Sequence, residues 1–318
     1  MIRRRWSLAL ACVAVAASAI AQNGFASNIL FIGNSFTFGY GSPVRFYRAD
    51  SVTDLNNEGI GGVPALFKAF TTEAGLNYDV YLETHPGIGI DWHLQNKRDV
   101  LTQRGWDAVV MHGFSMLDRT KPGDPATLIS SARQMAELLR SKNPAVELRL
   151  TETWPRADQT YDSKGAYFGK SIDVMAQDLH QGYAQAAAAI PGKKTLVASV
   201  GDAWMRAIRT GVADSNPYDG IDANKLDLWT FDGYHASTYG YYLEALVVFG
   251  TITGQDPRTL GGKECSGFEL GLSPPQVEAL EQVAYDQLVA DGTVKAGNAA
   301  ASASGPAARC AAASVLSH

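Results

Sequence analysis

Residues 28–37, Asn-Ile-Leu-Phe-Ile-Gly-Asn-Ser-Phe-Thr, decide how the rest of the chain is read. Residues 28–33 are a continuous apolar run that ends on Gly33, the pattern of a short buried strand. Asn34 to Thr37 then forms a turn. Working outward, further apolar runs predict strands at 78–82, 106–111, 146–150 and 195–200. Helical stretches lie between them. Residues 63–75 start with Pro64 in the first turn and stop at Gly75. Helices are also expected over 91–103, from Asp124-Pro125 to about Ser141, over 166–189, over 237–253, and from Ser273-Pro274-Pro275 to near Gly292. Residues 40–61, rich in Gly, Asn and Asp, show no period and read as a long loop.

Strands alternate with helices about five times, the signature of a parallel sheet covered on both faces. Such sheets bind ligands beyond the carboxyl ends of their strands. Chemistry should therefore sit in the residues just after each strand, and this rule selects candidates before any motif is consulted.

The ends of the chain read differently from its middle. Arg3, Arg4 and Arg5 precede an apolar run from Trp6 to Ile20, and Ala19-Ile20-Ala21 is a small-x-small cleavage site. Residues 1–21 are expected to be a signal peptide that directs export to the periplasm or the medium. Arg3-Arg4 with Trp6 also loosely resembles a twin-Arg signal, and Leu10-Ala11-Cys12 a lipoprotein box. The run is short for a membrane span and no other run qualifies, so stable membrane insertion is not expected. The main domain is expected over 22–292. From Thr293 to His318 the chain is mostly Ala, Ser and Gly and is expected to lack order. Cys12 leaves with the signal; Cys265 and Cys310 either pair in an oxidising compartment or stay as two thiols.

The chain has 318 residues, 46% hydrophobic and 19% charged, with a formal charge of −5. Basic residues do not cluster beyond the first few positions, which argues against nucleic acid or an anionic membrane as a partner. There is no Cys/His cluster of zinc spacing, and no Gly-Lys-Ser/Thr phosphate loop. Gly87-x-Gly89 lacks the third Gly of a dinucleotide fingerprint. Asp214, Asn216, Asp219, Asp222 and Asp227 make an oxygen-rich loop whose spacing does not match an EF-hand, so a solvated loop is expected. No metal or other cofactor is expected, and the composition leaves the oligomeric state open.

Two short segments carry the chemistry. Gly33-Asn34-Ser35 places a hydroxyl directly after the first strand, where nearby backbone N–H groups can face an oxyanion. A hydroxyl needs a base at neutral pH. Asp232-Gly233-Tyr234-His235 supplies one two hundred residues later, with a carboxylate three residues ahead to hold the imidazole. No Gly-x-Ser-x-Gly elbow occurs, which disfavours the α/β-hydrolase pattern.

Gly-Asn-Ser after the first strand, with Asp-x-x-His before the penultimate helix, resembles the SGNH (GDSL-like) hydrolase family over roughly residues 28–255. The resemblance implies a three-layer α/β/α flavodoxin-like sandwich with a mostly parallel sheet of about five strands. It implies a serine esterase in which Ser35 is the nucleophile, His235 the base and Asp232 its orienting acid. The family's oxyanion hole uses the nucleophile's N–H, a Gly after the second strand and an Asn after the third. For the Gly, Gly87 in His85-Pro86-Gly87 competes with Gly62 in Asn57-Glu58-Gly59-Ile60-Gly61-Gly62; Gly87 comes after the strand at 78–82 and is preferred.

The third block departs from the pattern. The strand at 106–111 ends in His112-Gly113-Phe114-Ser115, without the Asn, and His112 or Ser115 is expected to replace it as donor. His112 reads equally as a hydrogen-bonded histidine at a strand end; His85 and His93 read as structural. Asn34, and Trp154 and Trp204 after the fourth and fifth strands, are expected to touch substrate, although such Trp residues more often belong to a core. The expected substrate is a small-molecule or carbohydrate ester, acetylated carbohydrate first, with lipid esters and thioesters next. A glycan-binding module without catalysis stays open because the third-block Asn is absent.

Overall fold

The computed structural model describes residues 26–297. The expected signal peptide, with Cys12, and Cys310 lie outside the described residues. Six strands form one sheet: β1 (Ser27–Gly33), β2 (Thr53–Asp54), β3 (Tyr78–Thr84), β4 (Ala108–Met111), β5 (Glu147–Thr151) and β6 (Leu196–Ala198). Their order is β2-β3-β1-β4-β5-β6, and every pairing is parallel. Without the two-residue edge strand β2, this is the flavodoxin-like order.

The extra strand corrects the expected count of five. It lies inside the stretch 40–61 that reads as loop, because two residues are too few to show a period. Asp54 then ties down the turn beyond the strand: its carboxylate accepts from the backbone N–H groups of Asn56, Glu58 and Ile60.

The helices are α1 (Ser35–Phe38), α2 (Gly62–Glu73), α3 (Ile90–Asn96), α4 (Arg98–Leu101), α5 (Ala126–Arg140), α6 (Ala157–Thr160), α7 (Ile172–Ala189), α8 (Val200–Arg209), α9 (Thr238–Thr253), α10 (Cys265–Glu269) and α11 (Pro274–Ala290). The expected helix 91–103 breaks in two at Lys97, and α7 starts six residues later than expected. Ser199 and Val200, read as the end of a strand, are instead the N-cap and first residue of α8.

Alternation along β1 assigns the two layers. Ile29 and Phe31 enter one core with α2, α8, α9 and α11; Leu30 and Ile32 enter the other with α3, α5 and α7. Successive strand side chains point to opposite faces, so a strand with no polar alternation must be covered twice. Helix α9 is buried from Gly240 to Thr251. It packs against α2, α8 and α11 as well as the sheet, which explains apolar residues on several of its faces.

Cys265 is disulfide-bonded; its expected pairing with Cys310 lies outside the described residues. Residues 293–297, expected to lack order, are placed against the body, and the rest of the expected tail lies outside the described residues. Val294 is buried, and Gly297 bonds both ways with the Tyr285 hydroxyl. Among the described residues, no helix is long and apolar enough to cross a membrane.

β1 is flanked by β3 on one side and β4 on the other. The chain changes direction of winding there, so a crevice opens beyond the carboxyl ends of β1 and β4. Ser35 and His112 both come directly after strands that end at this crevice.

Candidate active site

Asn34 leaves β1 in an extended conformation and caps α1, a helix of one turn. Its Oδ1 accepts from Phe36 N–H at 3.0 Å, and its carbonyl accepts from Thr37 and Phe38. Among the described residues this leaves the N–H of Ser35 without a partner, at the positive end of the turn. Gly33 is required by contact: a Cβ there would lie 2.0 Å from Thr37 Oγ1 and 2.6 Å from His112 Nε2.

The base arrives on a hairpin-like loop. Trp229 bridges Ala236, Thr230 N–H donates to the His235 carbonyl, and Gly233 N–H closes a turn on Thr230. Inside it, Asp232 Oδ1 accepts from the backbone N–H groups of Tyr234 and His235, both at 2.9 Å. Asp232 Oδ2 lies 2.7 Å from His235 Nδ1. His235 Nε2 lies 2.9 Å from Ser35 Oγ. A carboxylate only accepts, so the partners assign the proton to Nδ1 and leave Nε2 to accept from the serine hydroxyl. Burial raises the Asp232 carboxyl pKa, but the imidazole and the two N–H donors outweigh it and hold it at about 2. The arrangement can therefore strip a proton from Ser35 without first ionising the acid.

The fold thus brings Ser35, Asp232 and His235 together. Other expected site residues lie elsewhere. His112 is buried, and both its nitrogens are engaged: Nδ1 with the Gly113 carbonyl at 2.9 Å, and Nε2 with Thr37 Oγ1 at 2.8 Å. The carbonyl takes the proton from Nδ1, so Nε2 accepts from Thr37. Burial first of all depresses the His112 pKa to about 4, which keeps the ring neutral. It has no N–H left for an oxyanion, a correction to its expected role. Ser115 Oγ is also occupied, 3.0 Å from Arg156 Nη1 and 3.4 Å from the Tyr234 hydroxyl.

Trp154 and Trp204, expected to touch substrate, are instead buried. They are 1% and 0% exposed and stack behind the site, Phe36 on Trp154 and Trp154 on Trp204. Trp154 Nε1 donates to the Tyr234 carbonyl at 3.1 Å, so the column supports both the nucleophile turn and the base loop. Asn34 is equally committed: its amide donates to the Ile88 carbonyl at 2.7 Å. That bond draws the loop after β3, with Gly87 at φ +66°, to the edge of the nucleophile turn. Gly62 sits behind α1, against the Thr37 carbonyl, and does not share that loop. His85 stacks on Trp92, and the buried His93 spans from Glu83 to the Gly33 carbonyl. Asp214 ties the oxygen-rich loop by accepting from Asn216 and Asp222 N–H.

The motifs alone do not reveal several contributors. The Tyr40 ring lies 4.5 Å from His235, and the Tyr234 ring 4.1 Å from it. Arg156 lies over Tyr234, Cζ 3.4 Å from the ring centre, while pairing with Asp158. Phe231, beside Asp232, is 88% exposed. Arg156 and Tyr40 lie a few residues beyond β5 and β1, so the strand-end rule points to their neighbourhood without singling them out.

No family model and no curated protein matches the chain. Solved structures do. A DUF4886 family protein from Bacteroides uniformis is 16% identical and matches with a TM-score of 0.56, covering 85% of this chain and 97% of its own. A candidate SGNH hydrolase from Slackia heliotrinireducens is 24% identical, TM-score 0.50, covering 71% of this chain and 99% of its own. A candidate GDSL-like lipase from Parabacteroides merdae is 16% identical, TM-score 0.50, covering 72% and 95%. At such identities the likeness concerns architecture, and it agrees with the strand order: the chain has the SGNH (GDSL-like) hydrolase fold.

Proposed function

We propose that the chain hydrolyses carboxylic esters through an acyl-enzyme on Ser35. One observation carries the reading: the 2.9 Å contact of Ser35 Oγ with a His235 ring whose other nitrogen meets Asp232. His235 takes the hydroxyl proton as Oγ attacks the carbonyl carbon. The oxyanion faces the Ser35 N–H and the loop of Gly87. Collapse breaks the ester C–O bond, and His235 gives its proton to the leaving alcohol. Water, deprotonated by His235, then releases the acid and restores Ser35.

The substrate proposed first is an acetylated carbohydrate met after export. Support comes from the mouth of the site, where Tyr40 is 41% and Phe231 88% exposed, since aromatic faces suit sugar rings. The exposed Phe231 equally favours a second reading, a lipid ester or thioester whose acyl chain lies on it.

The test is hydrolysis of p-nitrophenyl acetate, acetylated xylan and a long-chain p-nitrophenyl ester by the chain and by Ser35→Ala. A loss of at least about 10³-fold in the variant is expected. Turnover that survives in Ser35→Ala overturns the mechanism. Glycan retention with no turnover in either protein favours a binding module instead.

A further inference from the structure

A second cluster of polar groups lies behind the aromatic column, away from Ser35. Glu152 stands directly after β5, and its N–H donates to the Ala198 carbonyl of β6 at 3.0 Å. Its side chain is 1% exposed, and among the described residues neither carboxylate oxygen has a hydrogen-bond partner. The carboxylate lies against the first turn of α8, where a Cβ on Gly201 would stand 2.6 Å from Oε1. Two further groups face it: His180 from α7 and Asp202 from α8, joined to each other by Nδ1 and Oδ2 at 2.9 Å. One ligand atom from each of the three residues lies within 4.8 Å of the others.

A buried carboxyl with both oxygens unmet is costly, and burial favours its neutral form unless a cation stands beside it. Among the described residues no basic side chain pairs with Glu152. The charge around it is negative: Asp202 and Asp291 both act on it, Asp291 being held by Gln287 Nε2 at 2.9 Å. The nearby Arg209 is already paired with Asp173. Arg206 donates to Gln287. One imidazole and two carboxylates converging from three elements form a donor set for a borderline cation, with a position left open for water. Ligands of a four-coordinate ion stand roughly 3–4 Å apart, so small side-chain rotations suffice. Asp202 and His180 also border a surface depression with Gln177 and Asp173, which supplies the entry path.

We propose that Glu152, His180 and Asp202 bind one divalent cation of the zinc or manganese class. The ion pins α7 and α8 to the end of β5, two residues before Trp154. Its role is structural: the site shares no residue with the Ser35 machinery, so the proposal stands or falls apart from the esterase reading.

The test is calorimetric titration of the untagged, chelator-treated chain with zinc chloride and with manganese chloride, together with its melting temperature. One equivalent of at least one ion is expected to bind, and the melting temperature to rise with it. His180→Ala, half exposed on a helix and so tolerated by the fold, is expected to weaken binding at least about tenfold and to abolish the thermal shift. Glu152→Gln is expected to do the same. Absence of saturable 1:1 binding for both ions overturns the proposal. So does binding of equal strength in His180→Ala.

Discussion

Phe36 and Trp154 stack with ring centres 3.8 Å apart and planes 10° from parallel, so the residue after Ser35 rests on the indole that holds the base loop. The stack couples two segments of chain separated by more than a hundred residues. Trp154→Phe keeps a ring but removes the N–H that meets the Tyr234 carbonyl. Leaving that carbonyl unmet is expected to cost about 1–3 kcal/mol in urea unfolding. Trp154→Ala opens a cavity as well and is expected to cost about 3–5 kcal/mol. In both, kcat should fall more than KM rises, because the indole lies behind the site. A rise in KM at unchanged stability would instead put the indole against substrate.

The same column shows what the sequence could and could not tell. The fold was legible because five of the six strands fall in runs rich in apolar residues, and α2, α9 and α11 are punctuated by Pro, Gly or a capping side chain. Ser35 was legible because it ends the first run, and His235 because a carboxylate stands three residues ahead. Trp154 and Trp204 misled because strand-end position says where a residue leaves the sheet but not which way its side chain turns. Trp154 is covered by Phe36 of α1 on one side and by Trp204, itself on α8, on the other, which is a tertiary fact. His112 misled for a similar reason: its partner Thr37 is 75 positions away. Strand β2 escaped because two residues carry no period. Glu152, His180 and Asp202 lie on three elements with no motif spacing, so only packing gathers them.

Asp232→Asn should separate tautomer control from simple loss of charge. The variant can accept from the backbone but no longer fixes the proton on His235 Nδ1, and kcat is expected to drop about 10³–10⁴-fold with little change in KM. The pH behaviour comes from the depressed carboxyl. Its folded pKa of about 2 lies below the ordinary 3.8. Its contribution to stability is thus complete above pH 3.8 and fades as pH falls through 2. Acid unfolding of Asp232→Asn, followed by circular dichroism, should lack this component. An identical acid limb in both proteins would contradict the depressed carboxyl.

Glu281 on α11 gives a pH dependence of opposite sign. Burial, and then the charge of Glu264, push its carboxyl from an ordinary 4.5 to about 8. The unfolded chain ionises this group freely above pH 4.5, while the native state resists. Stability therefore falls as pH rises from about 4.5 to about 8 and levels off beyond. Glu264, raised to about 7 chiefly by burial, adds to the same slope. Glu281→Gln is expected to melt several degrees above the parent at pH 8.5, with the gap closing by pH 5. Scanning calorimetry across that range checks it. A gap that widens toward acid would mean the carboxyl is stabilising when charged.

Arg156 is expected to act on the reaction through Tyr234 rather than through substrate. Its guanidinium sits over the Tyr234 ring, donates to Ser115 Oγ, and grips Asp158 through Nε and Nη2 at 2.9 and 2.6 Å. Asp158 N–H in turn donates to the Gly233 carbonyl at 3.0 Å, so both arms end on the residues between Asp232 and His235. A lysine keeps the charge but cannot reproduce the two-pronged grip on Asp158. Arg156→Lys is expected to lower kcat about 10-fold on p-nitrophenyl acetate with KM nearly unchanged. Asp158→Asn should lower it in the same direction. The double variant should fall short of the sum of the two losses, because each single change already frees the same loop. Were Arg156 instead a contact for an anionic substrate, the loss would sit in KM, grow with substrate charge, and leave the neutral acetate ester untouched.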